Sequence, residues 1–137
     1  MEIPQIINFK HTNSEKGLLA FAENSIKLPF ELQRVYWITQ VSDDVVRGGH
    51  AHYTSMQVIV CVRGSVEVQL EDMTGQRFDF TLSDPTQGLY IPKLCWGAMK
   101  FKNDALLVGL ASDLYQEKDY IRDRAVFDAL QRKYKHV

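Results

Sequence analysis

Residues 65–82 read SVEVQLEDMTGQRFDFTL, and this stretch decides the fold class. Apolar and polar residues alternate over 65–71, a turn sequence with glycine follows at 73–76, and the alternation resumes over 77–82. A period of two places every second side chain on the same face of an extended strand. Two such segments on either side of a short glycine-containing turn predict a β-hairpin.

Other strand-like segments surround this hairpin. Residues 31–41 are rich in β-branched and aromatic side chains, and residues 56–62 form an apolar run that is typical of a buried strand. Short apolar segments at 89–91, 99–101 and 105–111 predict further strands. Short strands at regular spacing favour a β-sandwich or a barrel.

One segment near the C-terminus has a helical pattern. Within residues 122–135, Val126, Phe127 and Leu130 form one apolar stripe on an otherwise polar sequence. Asp123 is a plausible N-cap for this helix because its side chain can accept a hydrogen bond from a free backbone amide. The expected fold class is therefore all-β with a short C-terminal helix.

Composition argues against several functions. The chain of 137 residues has a formal net charge of −1, and its basic residues are scattered, which disfavours a nucleic-acid partner. No apolar run is long enough to span a membrane, and no signal peptide is recognisable. Cys61 and Cys95 lie in apolar stretches, as buried reduced thiols of a cytoplasmic protein do. We expect a single domain over residues 1–137.

The candidate functional residues begin with the motif Arg47-Gly48-Gly49-His50-Ala51-His52. His50 and His52 are two positions apart, so on a strand both side chains project to the same face and can enter one pocket. Histidine transfers protons near neutral pH and is also the commonest metal ligand. The residues alone leave a catalytic, a metal-binding and a structural role open.

The spacing around the two histidines resembles the first cupin motif, in which a glutamate and then a glycine follow His-x-His. Here Gln57 stands at the glutamate position and Gly64 at the glycine position. The second cupin motif supplies a further histidine after a proline turn, and Gly97 stands there, five residues after Pro92. The resemblance implies a cupin-type jelly roll (double-stranded β-helix). Because a catalytic metal usually needs three protein ligands, we expect no metal and no other cofactor.

Further motifs narrow the resemblance. Residues 34–38, the motif at 47–52, Trp96 and the segment Asp-Tyr-Ile-Arg-Asp at 119–123 follow one another in an order that resembles the WxcM-like family of sugar 3,4-ketoisomerases. The resemblance covers the chain from Glu15 to Leu130. It implies a homodimeric isomerase that acts on dTDP-4-keto-6-deoxyglucose, in pathways to dTDP-3-amino-3,6-dideoxyhexoses for surface glycans or glycosylated metabolites.

The chemistry of that reaction assigns expected roles to three residues. Moving a ketone from C4 to C3 requires removal of the C3 proton, an ene-diolate and delivery of a proton to C4, and one base can make both transfers. His50 is the expected base, and His52 is expected beside it as a second proton or hydrogen-bond group. The resemblance implies that Tyr36 is the acid or the hydrogen-bond partner of His50.

Five further residues are candidates for binding the substrate. The guanidinium groups of Arg47 and Arg34 match phosphate oxygens. Lys16 precedes a glycine where relatives often carry an arginine, so it can contact the phosphate or the sugar. Trp96 is expected to line the pocket or to stack on a ring, and Gln57 to contact the substrate. Taken singly, each of these residues is also explained as a core, turn or ion-pair residue.

The sequence leaves two other functions open. One is a dTDP-sugar 3,5-epimerase of the same fold; such epimerases pair the base histidine with an aspartate, and no aspartate partner is evident from the sequence. The other is a cupin that binds a sugar or a metal without catalysing a reaction. The stereochemistry at C4 of the product, galacto or gluco, is also left open.

Overall fold

The structure, a computed structural model, describes residues 2–136. Most of these residues lie in strands, followed by a 3₁₀ turn at Glu117–Asp119 and one α-helix, α1, at Arg124–Lys135. The strands are β1 (Gln5–Asn8), β2 (Lys10–Ser14), β3 (Gly17–Phe21), β4 (Glu23–Asn24), β5 (Lys27–Leu28), β6 (Arg34–Ile38), β7 (Val46–His52), β8 (Gln57–Glu71), β9 (Arg77–Leu82), β10 (Gln87–Ile91), β11 (Trp96–Ala111) and β12 (Tyr120–Ile121).

The two long strands, β8 and β11, organise the fold. They pair antiparallel along most of their length and pass through both layers of the jelly roll. One layer has the order β1-β10-β8-β11-β6, and the other has the order β9-β8-β11-β7-β12. The expected all-β cupin-type fold with a C-terminal helix is confirmed.

Each long strand bends where it passes from one layer to the other. Gly64 in β8 has φ +76°, and a Cβ atom there would lie 2.6 Å from Cα of Ala105, so only glycine fits. In β11 the bend falls at Asn103 and Asp104, which have φ of 60° and 52°. The sequence predicted a separate strand on each side of these points. In the structure the two segments on either side of each bend form one strand, because the hydrogen bonding between β8 and β11 continues on both sides of it.

The core lies between the two layers. Ile59, Val66, Leu89, Phe101 and Leu107 are almost completely buried there. Burying a side chain of this size stabilises the folded state by about 1.5–3 kcal/mol. The alternation of the 65–82 hairpin fixes which side chains enter this core, since its even-numbered apolar residues point inward.

The helix α1 closes one end of the second layer. Oδ1 of Asp123 accepts a hydrogen bond from the backbone amide of Ala125 at 2.9 Å, so the predicted N-cap is confirmed. Phe127 is fully buried and packs with Ala51 of β7 and Ile121 of β12. No helix within residues 2–136 has the length and apolar character needed to cross a membrane.

The N-terminal strands β1 to β5 were not predicted. β1 adds to the main sheet beside β10, whereas β2 and β3 form a hairpin that pairs with no other strand among the described residues. In this hairpin Leu18 and Leu19 are 43% and 63% exposed. Because no apolar face of the hairpin is buried within the chain, its sequence lacks the alternation that marked the other strands.

Candidate active site

The two histidines project from β7 at the point where it lies against β11 and β12. Their ring centroids are 5.2 Å apart, with the ring planes nearly perpendicular. Gly97 of β11 is opposite His50, and Tyr120 of β12 is opposite His52. Gly48 allows this close approach, because a Cβ atom at that position would lie 2.8 Å from the carbonyl oxygen of Gly97. The local backbone therefore brings both imidazoles to one place.

His50 opens onto a cavity of about 590 Å³, a volume suited to a small ligand. Four other residues predicted for the site also line this cavity: Tyr36, Gln57, Arg34 and Arg47. His52 is buried behind the cavity and, together with His50, lines a smaller adjoining space. The structure thus brings together six of the eight residues that the sequence selected.

A chain of hydrogen bonds runs behind His50. The Tyr36 hydroxyl donates to Oε1 of Gln57 at 2.6 Å. Nε2 of Gln57 lies 3.2 Å from Nε2 of His52, and Nδ1 of His52 lies 3.0 Å from Oδ2 of Asp119. The chain therefore connects residues from β6, β8 and β7 to the turn that precedes β12.

Asp119 is held in place by the backbone that follows His52. The amide of Thr54 donates to Oδ1 of Asp119 at 2.8 Å, and the amide of Ser55 donates to Oδ2 at 3.3 Å. Burial opposes ionisation of this carboxyl, but the bonds from Thr54 and His52 outweigh it and lower the pKa of Asp119. The expectation that no aspartate partners a histidine is therefore wrong for His52.

His50 is a neutral imidazole that has no carboxylate partner among residues 2–136. Burial, with smaller contributions from the neighbouring His52 and Arg122, lowers the pKa of His50 to about 4. Its ring also lies 5.0 Å, centroid to centroid, from the ring of Tyr120. A histidine that is neutral at physiological pH and faces a cavity can accept a proton from a ligand.

Tyr36 is half-buried at the cavity, and its pKa is raised by desolvation and by Tyr120, against the opposing effect of Arg34. The opposite residue on β11, Gly109, makes room for the ring, since a Cβ atom there would lie 2.0 Å from it. Among the described residues Tyr36 makes no hydrogen bond to His50. The expected pairing of these two residues is corrected by the structure, which pairs Tyr36 with Gln57 instead.

Three arginines give the cavity a positive potential. The guanidinium of Arg34 lies between the rings of Tyr36 and Tyr115, at 5.8 Å and 5.6 Å from their centroids. Within residues 2–136 neither Arg34 nor Arg47 forms an ion pair, and Nε of Arg34 is buried without a hydrogen-bond partner. The third arginine, Arg122, forms an ion pair with Glu117, in which Nε of Arg122 lies 2.6 Å from Oε1 of Glu117. Two guanidinium groups are thus available to an anionic ligand.

Two predicted binding residues do not line this cavity. Lys16 lies at the exposed tip of the β2–β3 hairpin. Trp96 neighbours Gly97 on β11, and because side chains alternate along a strand it projects to the opposite face, where its ring packs 5.5 Å from that of Phe127. The roles predicted for Lys16 and Trp96 are not supported by the geometry of this chain.

Several residues of the cavity were missed by the sequence reasoning. Tyr115, Tyr120 and Arg122 line it, and Glu117 accepts hydrogen bonds from Arg122 and Tyr115 that lower its pKa to about 2. Two of these residues, Tyr120 and Arg122, belong to the segment 119–123, which resembles the family but suggests no chemical role by its sequence alone. Its position beside the histidines depends on the pairing of β12 with β7, which connects distant parts of the chain.

The donor set does not fit a cupin metal. Gln57 and Gly97 occupy the positions of the missing ligands, which leaves two imidazoles, and the amide of Gln57 is engaged by Tyr36 and His52. Among residues 2–136 no group of three or more histidine, cysteine, aspartate or glutamate side chains is arranged to hold a metal ion. The expectation of a metal-free site stays a prediction.

A second cleft of about 620 Å³ lies on the other side of Asp119. Its walls include Thr54, Asp113, Gln116 and Lys118, and the residues that line it include no histidine. Proton transfer near neutral pH therefore has a suitable group in the His50 cavity and not in this cleft.

Comparison with known proteins gives one match to a family model and several to individual proteins. The model of the family described as WxcM-like, C-terminal (FdtA) matches residues 2–132. The TDP-4-oxo-6-deoxy-alpha-D-glucose-3,4-oxoisomerase of Aneurinibacillus thermoaerophilus is 40% identical over 119 residues, which are 86% of this chain and 85% of that protein.

Solved structures agree with the family match. QdtA, a sugar 3,4-ketoisomerase from Thermoanaerobacterium thermosaccharolyticum solved in complex with TDP, has a TM-score of 0.91 and 37% identity, covering 96% of both chains. A variant of that enzyme with asparagine in place of one histidine, solved with TDP-4-keto-6-deoxyglucose, has a TM-score of 0.90 and 37% identity, covering 95% of this chain and 94% of that chain. A dTDP-6-deoxy-D-glucose-3,5-epimerase from Legionella pneumophila, at 17% identity and a TM-score of 0.74 over 86% of this chain and 71% of that chain, shares the fold.

Proposed function

This chain belongs to the WxcM-like, C-terminal (FdtA) family, and from that premise we propose that it is a sugar 3,4-ketoisomerase. Its substrate is dTDP-4-keto-6-deoxyglucose and its product a dTDP-3-keto-6-deoxyhexose. The observation that carries the proposal is the neutral, partly buried imidazole of His50, which faces a cavity lined by two arginines that form no ion pair with any of residues 2–136.

The reaction begins with His50 as the base. The C4 ketone makes the C3 proton acidic, and His50 removes this proton while the electrons of the C3–H bond form a C3=C4 double bond. The C4 oxygen then carries the negative charge of an ene-diolate. A base that is uncharged at neutral pH is available for this step in almost every molecule of the resting enzyme.

In the second half of the reaction His50 delivers a proton to C4, after the proton on its imidazolium has exchanged with solvent. The C3 hydroxyl passes its proton to the C4 oxygen, a C3=O bond forms, and the electrons of the double bond take the proton from the imidazolium of His50, which leaves a neutral C4 hydroxyl. One hydrogen leaves C3, one reaches C4, and no electron enters or leaves the sugar. The cationic side chains at the cavity provide a positive potential that stabilises the charge on the ene-diolate oxygens.

The diphosphate of the substrate needs cationic partners at the cavity. Arg47 is exposed on β7 and Arg34 is half-buried on β6, and both line the cavity without a carboxylate partner in the part of the chain that the structure describes. Guanidinium groups bind phosphate oxygens through paired hydrogen bonds. We infer that Arg34 and Arg47 bind the diphosphate, whereas Arg122 stays in its ion pair with Glu117.

One observation favours an epimerase as the second candidate function. Asp119 is hydrogen-bonded to His52, and the 3,5-epimerases pair their base histidine with an aspartate. However, the paired histidine here is the one behind the cavity, and Nε2 of His52 is occupied by Gln57. An epimerase would also have to remove the proton at C5, for which the cavity offers no second base among the residues that line it.

A homodimer is the proposed assembly. Trp37 and Val35 of β6 are 68% and 48% exposed on the outer face of an edge strand, and Leu19 of the β2–β3 hairpin is 63% exposed. Exposed apolar side chains of this size are typical of an interaction surface, and two-fold dimers are the commonest assembly. Cys61 and Cys95 are buried and not bridged, which supports a cytoplasmic location.

The proposed function is tested by incubating the purified protein with dTDP-4-keto-6-deoxyglucose and locating the ketone carbon by NMR. The proposal requires a new C3 ketone that forms with wild-type protein and does not form when His50 is replaced by asparagine. A ketone that remains at C4 excludes the proposal.

A further inference from the structure

We propose that Gln57 is a positioning residue that fixes where the protons lie on His52 and Tyr36, so that His50 alone can act as the base. In this arrangement His52 carries its proton on Nδ1, and the Tyr36 hydroxyl directs its hydrogen away from the cavity. The placement of the protons is a property of the resting protein, whereas its effect on turnover rests on the proposed function.

The tautomer of His52 follows from the hydrogen bonds made by the two ends of the Gln57 side-chain amide. The Tyr36 hydroxyl donates to Oε1 of Gln57 at 2.6 Å, so the other end of the amide, Nε2, is the end that faces His52. Nε2 of Gln57 can only donate, and it lies 3.2 Å from Nε2 of His52. Nε2 of His52 must therefore offer its lone pair.

Asp119 supplies the second constraint on His52. Its ionised carboxyl can only accept, and Oδ2 lies 3.0 Å from Nδ1 of His52. Nδ1 must therefore carry the proton, which agrees with the assignment made from Gln57. The carboxylate and the amide thus act on the two ring nitrogens of His52 in a mutually consistent way and select one neutral tautomer.

The opposite orientation of the amide is less favourable. With Oε1 toward His52, both ring nitrogens would need a proton, and the imidazole would carry a positive charge next to Arg34 and Arg122. Burial lowers the pKa of His52, and those two arginines lower it as well, although Asp119 opposes them. The neutral tautomer is the form that this environment supports.

Two consequences follow for catalysis. The lone pair on Nε2 of His52 is occupied, so His52 cannot compete with His50 for the C3 proton. The Tyr36 hydroxyl, having committed its hydrogen to Gln57, offers lone pairs to the cavity and accepts a hydrogen bond from a sugar hydroxyl. That contact orients the sugar, and His50 then meets only one face of it.

The direct test is nitrogen-15 NMR of histidine-labelled protein without substrate at pH 7. We expect His52 to show a protonated Nδ1 and an unprotonated Nε2. In Gln57→Leu, which has a similar size but no amide, Asp119 still accepts from Nδ1, but Nε2 of His52 loses its donor and should take up a proton at a higher pH than in the wild-type protein. Gln69→Leu, an exposed position on the same strand, is the matched control and should leave the His52 signals unchanged. A protonated Nε2 in the wild-type protein overturns the proposal.

Gln57→Glu provides a readout that a merely structural role would not change. A carboxylate at position 57 accepts from both neighbours, so it should place a second proton on His52 and raise its pKa, and both ring nitrogens should be protonated at pH 7. Unchanged His52 signals in Gln57→Glu overturn the proposal. This variant and the wild-type spectrum still decide the question if Gln57→Leu does not fold.

Kinetics then connect the proton placement to the reaction. Gln57→Leu should lower kcat on the order of tenfold, the worth of about one net hydrogen bond, while KM changes little. A rise in KM with an unchanged kcat would make Gln57 a simple binding residue and overturn the positioning role. If the tautomer is as expected but the ketone never moves, the proposed function fails while the placement of the protons stands.

Discussion

Nδ1 of His52 lies 3.0 Å from Oδ2 of Asp119, although 67 positions separate the two residues in the chain. The bond joins β7 to the turn before β12 and leaves His52 engaged on both ring nitrogens. His50, two residues earlier, faces the cavity and has no carboxylate partner among the described residues. The two histidines of one motif therefore differ in role because their partners differ.

The first prediction concerns the base. His50→Asn keeps a side chain of similar size but cannot accept a proton at neutral pH, so turnover should fall by about 10²–10⁴-fold, the usual contribution of general acid–base catalysis. The measurement is the initial rate of ketone migration at saturating substrate. His11→Asn, which changes an exposed histidine far from the cavity, should keep wild-type turnover. Full activity in His50→Asn would assign the base elsewhere.

The second prediction concerns the pH dependence of activity. The base must be neutral, and the pKa of His50 is lowered to about 4, so the neutral form dominates at any pH well above that value. We expect kcat/KM to stay constant from neutral pH down to about pH 5 and to fall as the pH passes through the pKa of His50. A decline centred near pH 6.5, the ordinary histidine value, would show that burial does not control this group.

The same burial should make folding stability depend on pH. His50 and His52 both have lowered pKa values in the folded state, so the unfolded chain binds protons more readily than the folded protein does. Stability contributed by these neutral histidines is present above the unfolded pKa and is lost as the pH falls below about 6.5. Urea unfolding at pH 7 and pH 5 should show a lower midpoint at pH 5, and His50→Asn should reduce that difference.

The third prediction concerns Gly109. A Cβ atom at this position would lie 2.0 Å from the Tyr36 ring, so Gly109→Ala must displace the ring and break its bond to Gln57. We expect destabilisation of about 1–3 kcal/mol, the usual cost of overpacking, together with reduced turnover. The control is a double-mutant cycle with Tyr36→Ala. In that background Gly109→Ala should cost little, and an undiminished cost would place the strain elsewhere.

The fourth prediction concerns assembly. If the outer face of β6 forms the dimer contact, Trp37→Arg should yield monomers at micromolar concentration, because a charge would be buried without a partner. Light scattering measures the mass directly. Val126→Arg, which alters an exposed apolar residue on α1, should remain dimeric. A wild-type protein that is itself monomeric at micromolar concentration would contradict the proposed assembly.

Much of the fold followed from local patterns in the sequence. The alternation over 65–82 is dictated by one buried face, and the helix start at Asp123 is dictated by a backbone amide that needs an acceptor. Where the pattern was interrupted, at Gly64 and at Asn103, the interpretation went wrong. Glycine and asparagine are typical of turns because they tolerate positive φ, and both residues have positive φ here. The hydrogen bonding of β8 and β11 nevertheless resumes on the other side of each bend.

The candidate site was predicted where proximity in sequence implies proximity in space. His50 and His52 share a strand face, and Arg47 precedes them on the same strand. Asp119 could not be placed beside His52, because no local pattern encodes a contact between strands so far apart in the chain. The predicted position of Trp96 in the pocket was wrong for the opposite reason. Trp96 adjoins the site residue Gly97 in sequence, but the alternation of β11 sends its ring to the other face.

An NMR time course with dTDP-4-keto-6-deoxyglucose in deuterated water follows the ketone and the transferred hydrogen at the same time. We predict a product with a C3 ketone and deuterium at C4, because the proton on His50 exchanges with solvent before it returns to the sugar. His50→Asn should give neither signal. Deuterium at C3 and C5 with the ketone still at C4 would indicate an epimerase. An unchanged, unlabelled substrate would contradict the account altogether.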